Sequence, residues 1–329
     1  MNSADLIHNT ASINTIYSIF DNDDVKNILS KCLLEKTIWR DGIKSERSLR
    51  IKTDAPKDSD DLITAFDLNP QLFPGKFEMA IAGDGQEYRR IRTLHSSSLI
   101  SLLCFYGVSD NNPLILTIAN HDIRFTKSFF EIKNLIGVDE NGTPHESNMD
   151  VVLCGEDIAS GKIVVFFLES KFSEYLSWGK HSKISNHVYR ETYARLNHRG
   201  YLDRMQMKYE PMEEDARYSE LASKTGRTYH YAGGIKQMVS HFLGVMNAAE
   251  SKKLKGCDIY LGEIIFRFPD SVDSKGIKFQ DYNRLYQVLA EGLNDLAESK
   301  FKVLDQCLTY QEVFKDYELD DAVRSFYSI

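Results

Sequence analysis

The stretch from Ile163 to Lys171 (IVVFFLESK) constrains the fold of this chain more than any other segment. Read with the two-residue period of a strand, it places Ile163, Val165, Phe167, Glu169 and Lys171 on one face and Val164, Phe166, Leu168 and Ser170 on the other. Both faces are apolar until the last three residues, which predicts a central strand in a sheet covered on both sides. A carboxylate and an ammonium on one face at the end of such a strand are expensive to desolvate unless each has a charged or metal partner.

The flanking sequence supplies the rest of a layered fold. Pro113–Ile118 (PLILTI), Ser128–Ile136 (SFFEIKNLI), Met149–Cys154 (MDVVLC) and Asp258–Phe268 (DIYLGEIIFRF) read as further strands, being short, β-branched or aromatic, and bounded by turn residues. The link Gly155–Gly161 has glycine at both ends and is short enough to join antiparallel neighbours as a hairpin. Ser96–Tyr106 has serines ahead of an apolar run and a glycine behind it, the pattern of a capped, buried helix. Helical spacing recurs in Asp24–Thr37, Gly233–Ala249, Phe279–Phe301 and Val303–Tyr317, while Trp178–Tyr231 reads as helical and loop-rich. The order predicts an α/β (α+β sandwich) fold, a mixed central sheet flanked by helices. Asp54–Pro74 holds three of the seven prolines and many acids, so it reads as an irregular connection, with residues 1–75 as an N-terminal extension and 76–329 as the main domain.

Charge and cysteine usage exclude several classes. The net charge of −8 over 329 residues argues against a histone-like binder that coats nucleic acid by bulk charge. Its distribution is uneven: Lys180–Lys255 carries 14 Lys and Arg against 8 Asp and Glu, a basic segment inside an acidic chain. The five cysteines are scattered without a C-x-x-C pair, which excludes the common zinc and dithiol redox motifs and predicts buried apolar thiols. No apolar run approaches the roughly 20 residues of a bilayer span. Residues 1–20 lack the basic start and continuous apolar core of a secretory signal, so a cytoplasmic protein without a membrane partner is expected.

Asp150 begins the strand that pairs with Ile163–Lys171 across the predicted hairpin. An antiparallel register then brings it opposite a position near 166–171, beside Glu169 and Lys171. Two carboxylates and a lysine meeting there suit metal-assisted attack of water on a phosphodiester. The carboxylates hold a hard cation such as Mg²⁺, with Mn²⁺ as a substitute. The cation acidifies water and neutralises phosphate charge, and the lysine polarises or deprotonates the nucleophile. The alternative from the same residues is a turn aspartate and a structural Glu169–Lys171 pair. Gly83-Asp84-Gly85 invites a phosphate-loop reading but lacks the Gly-Lys-Ser/Thr ending.

Asn148-Met149-Asp150 followed by Glu169-Ser170-Lys171 resembles the PD-(D/E)XK nuclease superfamily, whose signature is an Asp after a short turn, a hairpin, then Glu or Asp, any residue, and Lys. Met149 stands where the pattern usually has proline. The resemblance implies a restriction-endonuclease-like core over roughly residues 83–268. It implies catalytic roles for Asp150, Glu169, Lys171, Gln237 and Glu131, and metal ligation by Asp150, Glu169 and Glu131. It further implies a helix before the strands, which Ser96–Tyr106 fits, and an acid on the preceding strand, Glu131 or more weakly Glu87. A glutamine on the helix after the Glu-x-Lys strand is Gln237, with His241 one turn on and Glu174 as a further acid near the site. The basic segment would then flank a DNA groove, with Lys180, Lys183, Arg190, Arg195, Arg199 and Arg204, interleaved with Tyr189, Tyr193 and Tyr201, as phosphate contacts. Cutting both strands of a duplex needs a homodimer or sequential nicking. A catalytically silent module of the same fold, binding nucleic acid or protein, is the competing expectation, followed by an interaction protein of unrelated α/β fold.

Overall fold

The computed structural model describes residues 59–82, 91, 96–139, 141–172, 175, 186–205, 232–268, 277–327 and 329. The predicted helix at Asp24–Thr37, the Gly83-Asp84-Gly85 turn, Cys32, Glu87, Glu174, Lys180 and Lys183 lie outside them. The chain is α/β, with an open, mixed, seven-stranded sheet flanked by helices.

Among the described residues the helices before the sheet are α1 (Asp60–Phe66), α2 (Phe73–Ile81) and α3 (Ser97–Phe105). In α3 the Ser96 hydroxyl accepts the backbone N–H of Leu99, the N-cap that the serine run predicted. Strand β1 (Leu114–Ile118) turns into β2 (His121–Val138) through Ala119 and Asn120, both at positive φ (51° and 68°) as a two-residue type I′ turn demands. Strand β2 pairs with β3 (Pro144–Asp157), and β3 with β4 (Ile163–Lys171). The β3–β4 hairpin is tighter than the predicted glycine-to-glycine link, because Gly155–Asp157 continue the strand. The turn is closed by Asp157 N–H to the Lys162 carbonyl at 2.9 Å, with Gly161 at φ 69° and the Asp157 carboxylate accepting the Ser160 N–H at 2.6 Å.

Helices α4 (Asn186–His198), α5 (Tyr201–Arg204) and α6 (Ala232–Ala249) lead from β4 to β5 (Asp258–Ile265), which pairs parallel to β4. Every residue of β4 after Ile163 is buried, as a strand with two covered faces requires. Ser170 on one face donates to the Ser97 carbonyl of α3, and Glu169 on the other meets α6.

Helix α7 (Ile277–Ala297) matches expectation, but the helix predicted for Val303–Tyr317 is instead β6 (Lys302–Val303), β7 (Leu308–Thr309) and the one-turn α8 (Tyr310–Val313). The reason is tertiary. The almost wholly buried β5 needs partners on its far side, and Val303, Leu304 and Leu308 pair with it. Asn294 of α7 bonds both the N–H and the C=O of Val303 at 2.8 Å, holding the chain extended. Helix α9 (Asp321–Tyr327) closes the chain.

The described part of the stretch expected to be an irregular connection, from Ser59 onward, holds α1 and the start of α2 and packs into the core. Leu62, Phe66, Leu68, Phe73 and Phe77 are buried, and the Phe66 ring meets Phe326 of α9 edge-on at 5.4 Å between centroids. Residue 75 falls inside α2, so the chain from α1 onward forms one core with the sheet. Cys104 and Cys307 are buried and Cys154 and Cys257 half-buried, all as free thiols; burial pushes the Cys104 and Cys307 thiols well up, away from nucleophilic thiolate.

Candidate active site

The sheet aligns acids from four neighbouring strands. Phe130 pairs with Val151 and Ile132 with Met149, which leaves Glu131 opposite Asp150; Val151 pairs with Leu168, which leaves Asp150 opposite Glu169; and Glu169 pairs with Glu263 of β5. The row Glu131, Asp150, Glu169, Glu263 thus crosses β2 to β5. The ladders are broken at Asp150 on both sides. Glu131 takes a left-handed backbone (φ 50°), and the Asp150 carboxylate accepts the Ser170 N–H at 2.7 Å. A non-glycine residue at positive φ inside a strand is uncommon and strained, and such strain concentrates at functional sites.

Glu169 is the hub. Its Oε1 accepts from Lys171 Nζ at 2.6 Å and from Gln237 Nε2, and Gln237 Oε1 in turn accepts from Lys171 Nζ at 2.6 Å. His241 Nε2 lies 2.8 Å from Glu169 Oε2, and His241 Nδ1 has no hydrogen-bond partner among the described residues. Gln237 and His241 reach the same carboxylate because they are one turn apart on α6. That helix approaches β2 and β3 closely at Gly244, where a Cβ would stand 2.4 Å from Ser147 Oγ.

The electrostatics of the two motif carboxylates diverge. Burial alone pushes Glu169 up, but the Lys171 and His241 charges outweigh it and bring the carboxyl down to about 2. Asp150 is driven the other way, well above its ordinary value, by burial first and then by the charges of Glu169 and Glu131, with Lys171 and the Ser170 N–H opposing. Adjacent carboxylates with divergent proton affinities are a recurrent mark of functional sites.

Asp150, Glu169, Lys171 and Gln237 are thus brought together, Glu131 lies beside them, and His241 joins from α6. Gln237 is exposed, Asp150 and Glu131 are half-buried, and Glu169 and Lys171 are buried. Among the described residues no three His, Cys, Asp or Glu side chains are arranged to hold a metal ion. Glu263 was missed, although a lone carboxylate in the apolar run DIYLGEIIF carries the same signal as Glu169. It is fully buried, accepts from Tyr282 Oη at 2.7 Å, and is touched by the Cys307 thiol at 3.9 Å.

The basic segment is assembled differently from its expected role. Arg190 is exposed on α4, but Arg195 faces Glu298 at 3.6 Å, Arg199 faces Asp295 at 3.8 Å, and Arg204 bonds Glu291 at 2.8 Å. These pairs tie α4 and α5 to α7 and the residue just past it. Tyr189, Tyr193 and Tyr201, which interleave with these arginines in the sequence, are core residues, because Tyr189 and Tyr193 share the inward stripe of α4 with Leu196 and Tyr201 opens α5 beneath α7. No family model, curated protein or solved structure matches this chain.

Proposed function

We propose that the protein is a Mg²⁺-dependent DNA endonuclease with a restriction-endonuclease-like core. The observation that carries the reading is the meeting of Asp150, midway along β3, with Glu169 and Lys171 at the end of the neighbouring apolar strand β4, and Gln237 bridging the glutamate and the lysine. The order α3, β2, β3, β4, α6, β5 also supports it, since it supplies the helix, the acid-bearing strand, the hairpin and the glutamine helix that the sequence resemblance implies.

The donor set fits a hard cation. Asp150 is crowded by like charges that a cation would relieve, and beside it Glu169 Oε2 is buried with His241 Nε2 2.8 Å away. Mg²⁺ commonly takes only one or two carboxylates and completes its shell with water and substrate phosphate, so Asp150 and Glu169 suffice, with Glu131 as an outer acid. A bound cation supplies charge neutralisation at the scissile phosphate and an acidified water. Lys171, positioned by its bonds to Glu169 and Gln237, stabilises negative charge developing on the phosphate oxygens. His241 fixes the orientation of Glu169. Arg190, Arg195, Arg199 and Arg204 remain the proposed phosphate contacts, because exposed ion pairs are worth only about 0–1 kcal/mol and yield to a polyanion.

One observation favours the catalytically silent alternative: Lys171, Gln237 and His241 already cluster on the Glu169 carboxylate. Cleavage of supercoiled plasmid and of single-stranded DNA in Mg²⁺, Mn²⁺ or EDTA decides between them. The nuclease reading requires metal-dependent nicking that drops about 100-fold or more in both Lys171→Ala and Asp150→Ala. No cleavage of either substrate, together with no calorimetric Mg²⁺ binding, leaves the silent module.

A further inference from the structure

Away from the acid row, the free edge of the sheet carries an inference that does not depend on the nuclease reading. Strand β1 has β2 on one side and no strand among the described residues on the other. A groove of about 430 Å³ is lined by six consecutive residues, Pro113 to Ile118, and on its opposite wall by Leu308, Glu312, Val313, Asp316 and Tyr317. Consecutive strand residues point to opposite faces, so a groove touching all six runs along the strand's edge, where the backbone groups point.

The hairpin geometry says which groups those are. In a two-residue type I′ turn the flanking pair, here Ile118 and His121, is hydrogen-bonded. Alternation then makes Leu116–Ile123 and Leu114–Phe125 the other bonded pairs, and Ile115 and Thr117 direct their N–H and C=O groups outward. Natural edges are usually guarded by charged side chains, bulges or a covering element. The run LILTI has none of the charges, and Ile115 is 55% exposed. The far wall carries two exposed carboxylates, Asp316 and Glu312, the latter with one oxygen accepting the Thr309 hydroxyl at 2.7 Å.

We propose that this groove docks an extended peptide segment of a partner protein, which adds as a strand to β1 and carries lysine or arginine side chains toward Glu312 and Asp316. Backbone pairing with Ile115 and Thr117 supplies affinity, and the two carboxylates select positive charge. A second copy of this chain is disfavoured as occupant. The chain carries a net −8, and a two-fold β1–β1 pairing would bring a second Glu312 and Asp316 to the same groove.

The test is fluorescence anisotropy of the full chain with a labelled, end-capped Val-Lys-Val-Lys-Val-Lys-Val peptide, the same peptide N-methylated on alternate amides, and its glutamate counterpart. Saturable binding of the lysine peptide is expected. It should weaken about tenfold or more on N-methylation and in the Glu312→Gln/Asp316→Asn double variant, and be absent for the glutamate peptide. Ile115→Pro, which removes an outward N–H at a position where an edge tolerates proline, should weaken binding equally while leaving the circular dichroism spectrum unchanged. Absence of saturable binding overturns the proposal, as does binding indifferent to N-methylation, which would be charge attraction alone. A dimer that Ile115→Pro dissociates would also overturn it and assign the edge to a second copy.

Discussion

At the scale of single residues, Asp150 carries an energetic liability. Its folded-state carboxyl holds a proton more tightly than the unfolded chain does, because burial and the Glu169 and Glu131 charges raise it from the ordinary 3.8. As pH rises through 3.8 the unfolded state ionises first, so stability falls between that value and the raised folded one and stays reduced above it. Asp150→Asn keeps an acceptor for the Ser170 N–H and removes the charge. The variant should therefore denature at a higher temperature than the native chain at neutral pH, by a few degrees for each kcal/mol or so gained, and the gain should vanish below pH 3.8. Scanning calorimetry across pH measures this. In the same assay Mg²⁺ should raise the midpoint of the native chain and leave Asp150→Asn unmoved.

At the scale of elements, the site depends on how closely α6 lies against the β2–β3 hairpin, because Gln237 and His241 reach Glu169 from that helix. Gly244 sets the approach: an added Cβ would stand 2.4 Å from Ser147 Oγ and 2.9 Å from Asn134 Cβ, closer than real contacts allow. Gly244→Ala should cost about 1–3 kcal/mol in urea denaturation despite the better helix propensity of alanine, because the helix must move outward. The proposed nuclease activity should fall in step through loss of the Gln237 bridge, and Gly244→Ser, bulkier still, should do worse in both. Unchanged denaturation of Gly244→Ala would mean the helix rides over the strands without resistance. Among the strands, β4 was the most legible element in the sequence because its two faces are covered by different helices and its pattern is therefore continuous. Strands β6 and β7 were illegible, since two-residue pairings have no period of their own and are drawn out by the open side of β5 and the Asn294 clamp.

At the scale of the whole molecule, the helices before the sheet share its buried core. Tyr106 accepts from the Asn69 N–H at 3.1 Å and donates to Asp320 at 2.7 Å, linking the loop after α1 to the chain just before α9. Phe66 and Phe326 extend that junction into the core. Phe66→Ala should destabilise the entire fold by about 3–5 kcal/mol and shift a single unfolding transition, read by both far-ultraviolet circular dichroism and tyrosine fluorescence. Two separate transitions, with only the first displaced, would instead mark α1 and α2 as an independent layer.

Local sequence determined much of this protein: the alternation of β4, the serine cap of α3, the hairpin between β3 and β4, the helical stripe of α6, and the placing of Asp150 opposite Glu169 by register. These features rest on side-chain periodicity and turn chemistry, which act over a few residues. Tertiary structure alone decided that Asp60–Ile81 packs into the core, that β5 recruits β6 and β7, and that Tyr189 and Tyr193 turn inward while Arg195, Arg199 and Arg204 meet acids on or beside α7. It also added Glu263 to the acid row and gave Asp150 and Glu169 opposite proton affinities. Those outcomes depend on which distant surfaces are left open and which charges are brought within a few ångströms, and neither is written in a local pattern.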